Sequence, residues 1–142
     1  MIRILIADDH PFLRTTLVDL LAATDDIRVV AECADGAEVA EAAARTEPDV
    51  VLMDLNMPRM SGLEAIRALR ATQPGVRVIV LTGSLTAAAV REAQALGVAG
   101  FLLKGDDGNA LPDQIHAVAA GRTVWSPAAA PEPITPPAQL QR

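Results

Sequence analysis

The sequence contains one cysteine, no tyrosine and only three other aromatic residues, two phenylalanines and a tryptophan. Because Cys33 has no second cysteine to pair with, no disulfide can form within the chain, and this favours a reducing compartment. No apolar run is long enough to span a bilayer. The chain opens with a short apolar run and shows no secretory leader pattern. We therefore expect a cytoplasmic protein without a membrane anchor.

The charge of the chain is acidic, with a formal net charge of −6 over 142 residues. This sign argues against general attraction to nucleic acid or to anionic membranes. Hydrophobic residues make up 51% of the chain and charged residues 21%, which is typical of a globular protein. The length suits one domain with an aliphatic core.

Short apolar runs alternate five times with helical patterns. The strand-like runs lie at about 2–7, 27–33, 50–53, 76–81 and 99–103. The helical patterns lie at about 11–21, 35–45, 61–73, 86–96 and 111–121. Apolar strands in such an alternation are typical of a parallel sheet covered on both faces. We predict an α/β, flavodoxin-like, doubly wound (βα)5 fold with five strands in the order 2-1-3-4-5, within a domain spanning residues 1–124. Residues 125–142, rich in proline and alanine, are predicted to be a linker or tail.

Reactive side chains stand at the carboxyl ends of the predicted strands. Asp8 and Asp9 follow the first strand, Asp54 the third, Thr82 the fourth and Lys104 the fifth. In the predicted strand order these ends share one rim, where ligands bind in open α/β sheets. Carboxylates that lie close together repel each other unless a cation joins them, and oxygen ligands suit Mg²⁺. With an amine and a hydroxyl beside them, they are suited to phosphoryl transfer to a carboxylate.

Four separate motifs give the sequence a close resemblance to a known family. They are ILIADDHP at 4–11, MDLNMP with Ser-Gly at 53–62, Leu-Thr at 81–82 and AGFLLK at 99–104. Together they resemble a bacterial two-component response regulator receiver domain, which has a CheY-like fold. The sequences Asp-Asp-His-Pro and Gly-Phe-Leu-Leu-Lys are similar to the NarL/LuxR type. Members of that type usually carry a DNA-binding output domain, which is absent from this chain.

The resemblance implies a role for each matching residue. Asp54 would accept a phosphoryl group from a histidine kinase. Mg²⁺ would be held by Asp8, Asp9, Asp54 and the backbone carbonyl of Asn56, and Lys104 would hold a phosphoryl oxygen. The domain would then be a switch that controls an output such as transcription, and not an enzyme with a separate substrate.

Further expectations concern switching and partners. Thr82 and Phe101 resemble the switch pair of the family, in which the hydroxyl moves to the phosphoryl group and the ring turns inward. Phe12 lies off the inward stripe of its helix, and we predict that it helps to dock the kinase. Self-association is expected through the first and fifth helices, or alternatively through the fourth and fifth. DNA would be contacted only through an output domain.

The residues also argue against three other interpretations. An aspartate-nucleophile phosphohydrolase typically has a second acid two residues after the nucleophile, where this chain has Asn56. A nucleotide or flavin module would have a glycine-rich first turn, where this chain has acids. A receiver-like scaffold that is never phosphorylated would not need the complete set of acids, Thr82 and Lys104. His10 is interpreted as a local turn residue and His116 as a solvated helix residue, so a zinc site is not expected.

Overall fold

Strands and helices alternate along the chain in the computed structural model, which describes residues 1–129. The strands are β1 (Ile2–Ala7), β2 (Ile27–Cys33), β3 (Val50–Met53), β4 (Arg77–Thr82), β5 (Gly100–Leu103) and β6 (Val124–Trp125). The helices are α1 (Pro11–Ala22), α2 (Val39–Thr46), α3 (Gly62–Thr72), α4 (Ala87–Ala95) and α5 (Leu111–Ala119). None of the helices within residues 1–129 is both long and apolar enough to cross a membrane.

All the strands pair in parallel in one sheet of order β2-β1-β3-β4-β5-β6. The predicted order of the first five strands is confirmed, and the predicted number of five is corrected to six. Trp125, which the sequence interpretation assigned to the tail, pairs with Phe101 in β6. Two residues are too few to carry a strand pattern, so this strand is specified by its partner β5 and not by local sequence. The predicted tail from residue 130 onward lies outside the described residues.

The chain after β6 also packs against the sheet. The Ser126 hydroxyl donates a hydrogen bond to Asp106 Oδ2 at 2.7 Å, and its backbone N–H donates to the Phe101 carbonyl at 2.9 Å. Ser126 and Ala129 are both buried. The packed region thus continues beyond residue 124, where the sequence interpretation ended the domain.

The sheet separates two hydrophobic layers. Alternate strand residues such as Ile4, Leu52 and Ile79 face α1 and α5, while their neighbours such as Leu5 and Val80 face α2, α3 and α4. The fully buried side chains are mainly aliphatic. Helices on both faces explain why the strands are continuously apolar.

Local signals place several helix ends. The Ser61 hydroxyl accepts a hydrogen bond from the Glu64 backbone N–H and so caps the start of α3. Gly97 follows α4 with a φ of +73°, the left-handed conformation that glycine adopts readily. The predicted second helix is corrected, because residues 36–38 form a turn of 3₁₀ helix and α2 begins at Val39.

The turn that connects β3 to α3 passes very close to the start of that helix. A Cβ on Gly62 would lie 2.2 Å from the Asp54 carbonyl oxygen and 2.8 Å from the Leu55 Cα. The Gly62 N–H donates to the Leu55 carbonyl at 3.0 Å. Glycine is therefore required here to let the backbone fold directly behind Asp54.

We expect Gly62→Ala to lower the free energy of unfolding by about 1–3 kcal/mol, the usual cost of overpacking. Gly75→Ala is the matched control, because a Cβ there meets no atom within 4 Å. Urea denaturation of the two variants measures the difference. Equal stability of Gly62→Ala and Gly75→Ala would contradict the close approach.

Candidate functional site

The register of strand pairing aligns the carboxyl ends of the central strands. Ala7 pairs with Met53, and Met53 pairs with Val80. The backbone ladder continues one step further, because the Asp54 N–H donates to the Ala7 carbonyl at 2.9 Å and the Lys104 N–H donates to the Thr82 carbonyl at 2.8 Å. The acids after β1 and β3 and the lysine after β5 therefore meet at one edge of the sheet.

Three carboxylates lie together at this edge. Asp8, Asp9 and Asp54 each offer an oxygen within 4.8 Å of the others and of a nitrogen of His10. The side chains of Asp8 and Asp54 are 3% and 1% exposed, whereas that of Asp9 is 30% exposed. The predicted convergence of these acids is confirmed.

Lys104 supplies the positive charge of the cluster. Its Nζ lies 2.8 Å from Asp8 Oδ2 and 3.4 Å from Asp54 Oδ2, and its side chain is only 16% exposed. A single ammonium faces three carboxylates, so the negative charge of the cluster is not fully balanced by this lysine.

The imbalance has an electrostatic consequence for Asp54. Burial, and next the nearby Asp8 carboxylate, raise the pKa of Asp54, while the Lys104 ammonium opposes them. Within the described part of the chain, Asp54 Oδ2 and Asp9 Oδ1 are buried and accept no hydrogen bond. Buried carboxylate oxygens that accept no hydrogen bond favour the approach of a cation or of an electrophile, although Lys104 Nζ lies 3.4 Å from the oxygen of Asp54.

His10 belongs to the cluster, and the interpretation of this residue as a mere turn residue was incomplete. Its Nδ1 lies 2.9 Å from Asp8 Oδ1 and 3.0 Å from Asp9 Oδ1. Its backbone N–H also donates to Asp8 Oδ1 at 2.8 Å. The sequence signal was the position of His10 directly after two acids. The chain turns at the start of α1, so the ring of His10 lies over the end of β1.

The predicted switch residues lie on β4 and β5 beneath the cluster. Thr82 and Phe101 are both fully buried. Val80 pairs with Phe101, and Thr82 is two residues beyond Val80, so the two predicted switch residues share one face of the sheet. The Phe101 ring packs in the layer beneath α2, α3 and α4.

An open cleft of about 430 Å³ lies over the cluster. Its lining includes Phe12, Asn56 and Ser84 as well as Asp54 and Lys104. Phe12 is 87% exposed, which agrees with its predicted position at the rim. The Asn56 N–H donates to Asp54 Oδ1 at 3.3 Å, so the backbone at residue 56 adjoins the predicted phosphoacceptor.

Asp35 fixes the turn on the other side of Asp54, and sequence reasoning did not find this role. Its carboxylate accepts hydrogen bonds from the backbone N–H groups of Ala37 at 2.9 Å, Arg59 at 2.8 Å and Met60 at 3.0 Å. These donors, first Ala37 and then Arg59, hold the pKa of Asp35 below its ordinary value of 3.8. The sequence signalled only the local Asp-Gly turn, because Arg59 and Met60 are distant along the chain.

The donor atoms of the cluster fit a hard divalent cation. Carboxylate oxygens predominate, the net charge is negative, and Asp9 Oδ1 and Asp54 Oδ2 have free lone pairs. Mg²⁺ prefers such oxygen ligands together with water. The cluster can therefore hold a metal ion beside the buried oxygen of Asp54.

The family model "Response regulator receiver domain" matches residues 4–116 of the chain. The nitrate/nitrite response regulator protein NarL of Escherichia coli (strain K12) is 40% identical over 128 residues, which are 90% of this chain and 59% of NarL. The chain thus spans about three fifths of the length of this relative.

Solved structures show the same similarity. A two-component response regulator of the LuxR family from Aurantimonas sp. SI85-9A1 matches with a TM-score of 0.84 and 35% identity, over 89% of this chain and 91% of that chain. The receiver domain of the response regulator NarL from Mycobacterium tuberculosis matches with a TM-score of 0.80 and 34% identity, over 85% of this chain and 98% of that chain. The predicted family, NarL/LuxR type and fold class are confirmed.

We expect Asp35→Asn to lower the melting temperature at neutral pH by several degrees, because the amide oxygen is a weaker acceptor than the carboxylate. A depressed pKa in the folded state stabilises the protein above the ordinary pKa of 3.8, and this stabilisation is lost as the pH falls through the lower folded value. The difference between Asp35→Asn and wild type should therefore narrow as the pH falls below 3.8. Melting curves across this range measure it, with the exposed Asp25→Asn as control. A difference independent of pH would contradict the assignment.

Proposed function

The chain belongs to the response regulator receiver domain family, and we propose that it accepts a phosphoryl group on Asp54 from a histidine kinase in a Mg²⁺-dependent reaction. The observation that carries the proposal is Asp54 Oδ2, a buried carboxylate oxygen that accepts no hydrogen bond from residues 1–129 and lies 3.4 Å from Lys104 Nζ. We also propose that the protein is cytoplasmic.

Mg²⁺ would be held by Asp8, Asp9, Asp54 and the backbone carbonyl of Asn56. When bound, it would neutralise carboxylate charge and the charge on the transferring phosphoryl oxygens. The residues that support this assignment are the acids whose oxygens lie within 4.8 Å of one another. Lys104 already contacts two of these acids, so its ammonium can turn to a phosphoryl oxygen without leaving the site.

The transfer is a substitution at phosphorus. A carboxylate oxygen of Asp54 attacks the phosphorus of phosphohistidine, the P–N bond breaks, and the kinase imidazole leaves with the electron pair and takes up a proton. The chain contributes mainly position and charge, as is usual in phosphoryl transfer. Desolvation of Asp54 removes water that would otherwise shield its attacking oxygen.

Phosphorylation would then act through Thr82 and Phe101. The Thr82 hydroxyl would move to donate a hydrogen bond to a phosphoryl oxygen. The space that the hydroxyl leaves would favour the inward position of the Phe101 ring. Shifting a domain from about 1% to about 99% active requires a preference of roughly 5.5 kcal/mol. Hydrogen bonds to charged groups contribute about 1.5–3 kcal/mol each, so two new bonds, from Thr82 and Lys104, would reach this preference near the upper end of the range.

The output of the whole protein is a further part of the proposal, because the chain spans only 59% of the similar NarL protein. Self-association through α1 and α5, or through α4 and α5, would bring output domains together, and these would bind DNA to control transcription. The receiver would not turn over a separate substrate. Asn56 stands where a phosphohydrolase of the aspartate type has its second acid, and hydrolysis of a small phosphomonoester should therefore be absent.

Intact mass tests the phosphoacceptor directly. With acetyl phosphate and Mg²⁺, the wild-type chain should gain the mass of one phosphoryl group, and Asp54→Asn should gain none because its amide is not nucleophilic. Asp25→Asn, a change of an exposed acid far from the cluster, is the matched control and should be labelled like wild type. Labelling of Asp54→Asn, or of wild type with the divalent ion removed by a chelator, would refute the proposal.

Phe12 is predicted to contact the kinase at the rim of the cleft. We expect Phe12→Ala to slow phosphoryl transfer from a phosphorylated histidine kinase domain severalfold, because an exposed aromatic side chain is a strong anchor for a partner. The measurement is the rate of loss of radioactive phosphate from the kinase. Thr15→Ala, an exposed position on the same helix, is the control. An unchanged rate for Phe12→Ala would contradict the docking role.

A further inference from the structure

His10 takes no part in the proposed phosphoryl transfer, although its ring reaches the same cluster. Nδ1 lies 2.9 Å from Asp8 Oδ1, 3.0 Å from Asp9 Oδ1 and 3.8 Å from Asp54 Oδ2. The remainder of the side chain is open to solvent, with 61% of its surface exposed. Nδ1 thus faces the acids from the solvent side, and it lies 3.5 Å from Lys104 Nζ.

The spacing of these atoms is that of ligands around one ion. Two ligands at right angles, each about 2.1 Å from a metal, are separated by about 3.0 Å. The distances from His10 Nδ1 to Asp8 Oδ1 and Asp9 Oδ1 match this separation. Asp9 Oδ1 and Asp54 Oδ2 are buried oxygens that accept no hydrogen bond within the described residues, and both lie within 4 Å of His10 Nδ1.

We propose that His10 Nδ1 is a ligand of the metal centre, and that it makes this centre bind first-row transition ions in preference to Mg²⁺. The inference rests on the proposed function in one respect, the presence of a cation between Asp8, Asp9 and Asp54. It adds a fourth protein side chain, and a donor atom of a different chemical class.

The preference follows from ligand chemistry. Carboxylates and water suit Mg²⁺, whereas imidazole suits Ni²⁺, Co²⁺, Cu²⁺ and Zn²⁺. Three carboxylates alone would already bind first-row transition ions in the order Mn²⁺ < Fe²⁺ < Co²⁺ < Ni²⁺ < Cu²⁺ > Zn²⁺, and an imidazole ligand widens their advantage over Mg²⁺. A nitrogen ligand strengthens the binding of Ni²⁺ far more than that of Mg²⁺, which keeps its oxygen ligands and water.

Titration calorimetry with Mg²⁺ and with Ni²⁺ tests the preference, on an untagged chain so that no added histidine competes. His10→Ala should weaken Ni²⁺ binding roughly tenfold or more and change Mg²⁺ binding by less than about twofold. His116→Ala is the matched control, because His116 is the other histidine of the chain and pairs instead with Asp26 at 2.8 Å. Circular dichroism verifies that both variants are folded.

Pulsed electron paramagnetic resonance of bound Mn²⁺ gives a second readout that does not depend on affinity. Coupling to an imidazole nitrogen should be present in wild type and in His116→Ala, and absent in His10→Ala. No nitrogen coupling, together with an unchanged ratio of Ni²⁺ to Mg²⁺ affinity in His10→Ala, would reduce His10 to a hydrogen-bonding partner of Asp8 and overturn the inference. Tighter binding of both ions by His10→Ala would overturn it as well, since the ring would then compete with the ion.

Asp54→Asn separates this inference from the proposed function. If Mg²⁺ binding and acetyl phosphate labelling depend on Asp54 while Ni²⁺ binding is indifferent to His10, only the ligand assignment fails. If neither Mg²⁺ nor Ni²⁺ binds the wild-type chain, the metal centre itself fails, and the inference fails with it.

Discussion

The central constraint on this structure is the electrostatic repulsion among three carboxylates, which are held at one edge of the sheet beside a single ammonium. Asp8 and Asp54 are almost fully buried, and Lys104 contacts both of them. In such surroundings an uncompensated charge costs far more than it does in water. The raised pKa of Asp54 expresses this cost. A bound cation would relieve the imbalance, whereas phosphorylation of Asp54 would add about one further negative charge to it, so phosphorylation at this edge would depend on the cation and on Lys104.

The cluster is stable only because several independent interactions fix the backbone around it. Ladder hydrogen bonds fix the residues at Asp54 and Lys104. Asp35 fixes the far side of the β3–α3 turn through three backbone donors, and Gly62 lets α3 begin against the Asp54 carbonyl. Folding energy from the aliphatic layers on both faces of the sheet offsets the repulsion at its edge. The site is therefore a property of the whole sheet and not of a single motif.

A feature could be predicted from the sequence when the residues that form it are close together along the chain. The strand ends were predictable because apolar runs and periodicity are local, and because parallel strands in this order bring Asp8, Asp54 and Lys104 to one rim. The role of Asp35 was not predictable, since its partners Arg59 and Met60 lie 24 and 25 residues away. The short strand β6 exists only through its pairing with β5. The contacts of the His10 ring were not predictable, because its sequence neighbours are compatible with an outward or an inward ring.

The inward position of Phe101 bears on how such a domain would signal. Since the ring is already buried, a phosphoryl group would not need to create that arrangement; it would make it more stable than the alternatives, which is a population shift. Strand β5, which contains Phe101, also contacts the residues that follow β6. The Phe101 carbonyl accepts from the Ser126 N–H, and the Ser126 hydroxyl donates to Asp106, just beyond Lys104. The segment that leaves the domain is thus bonded both to the strand that holds the ring and to the loop that holds the lysine.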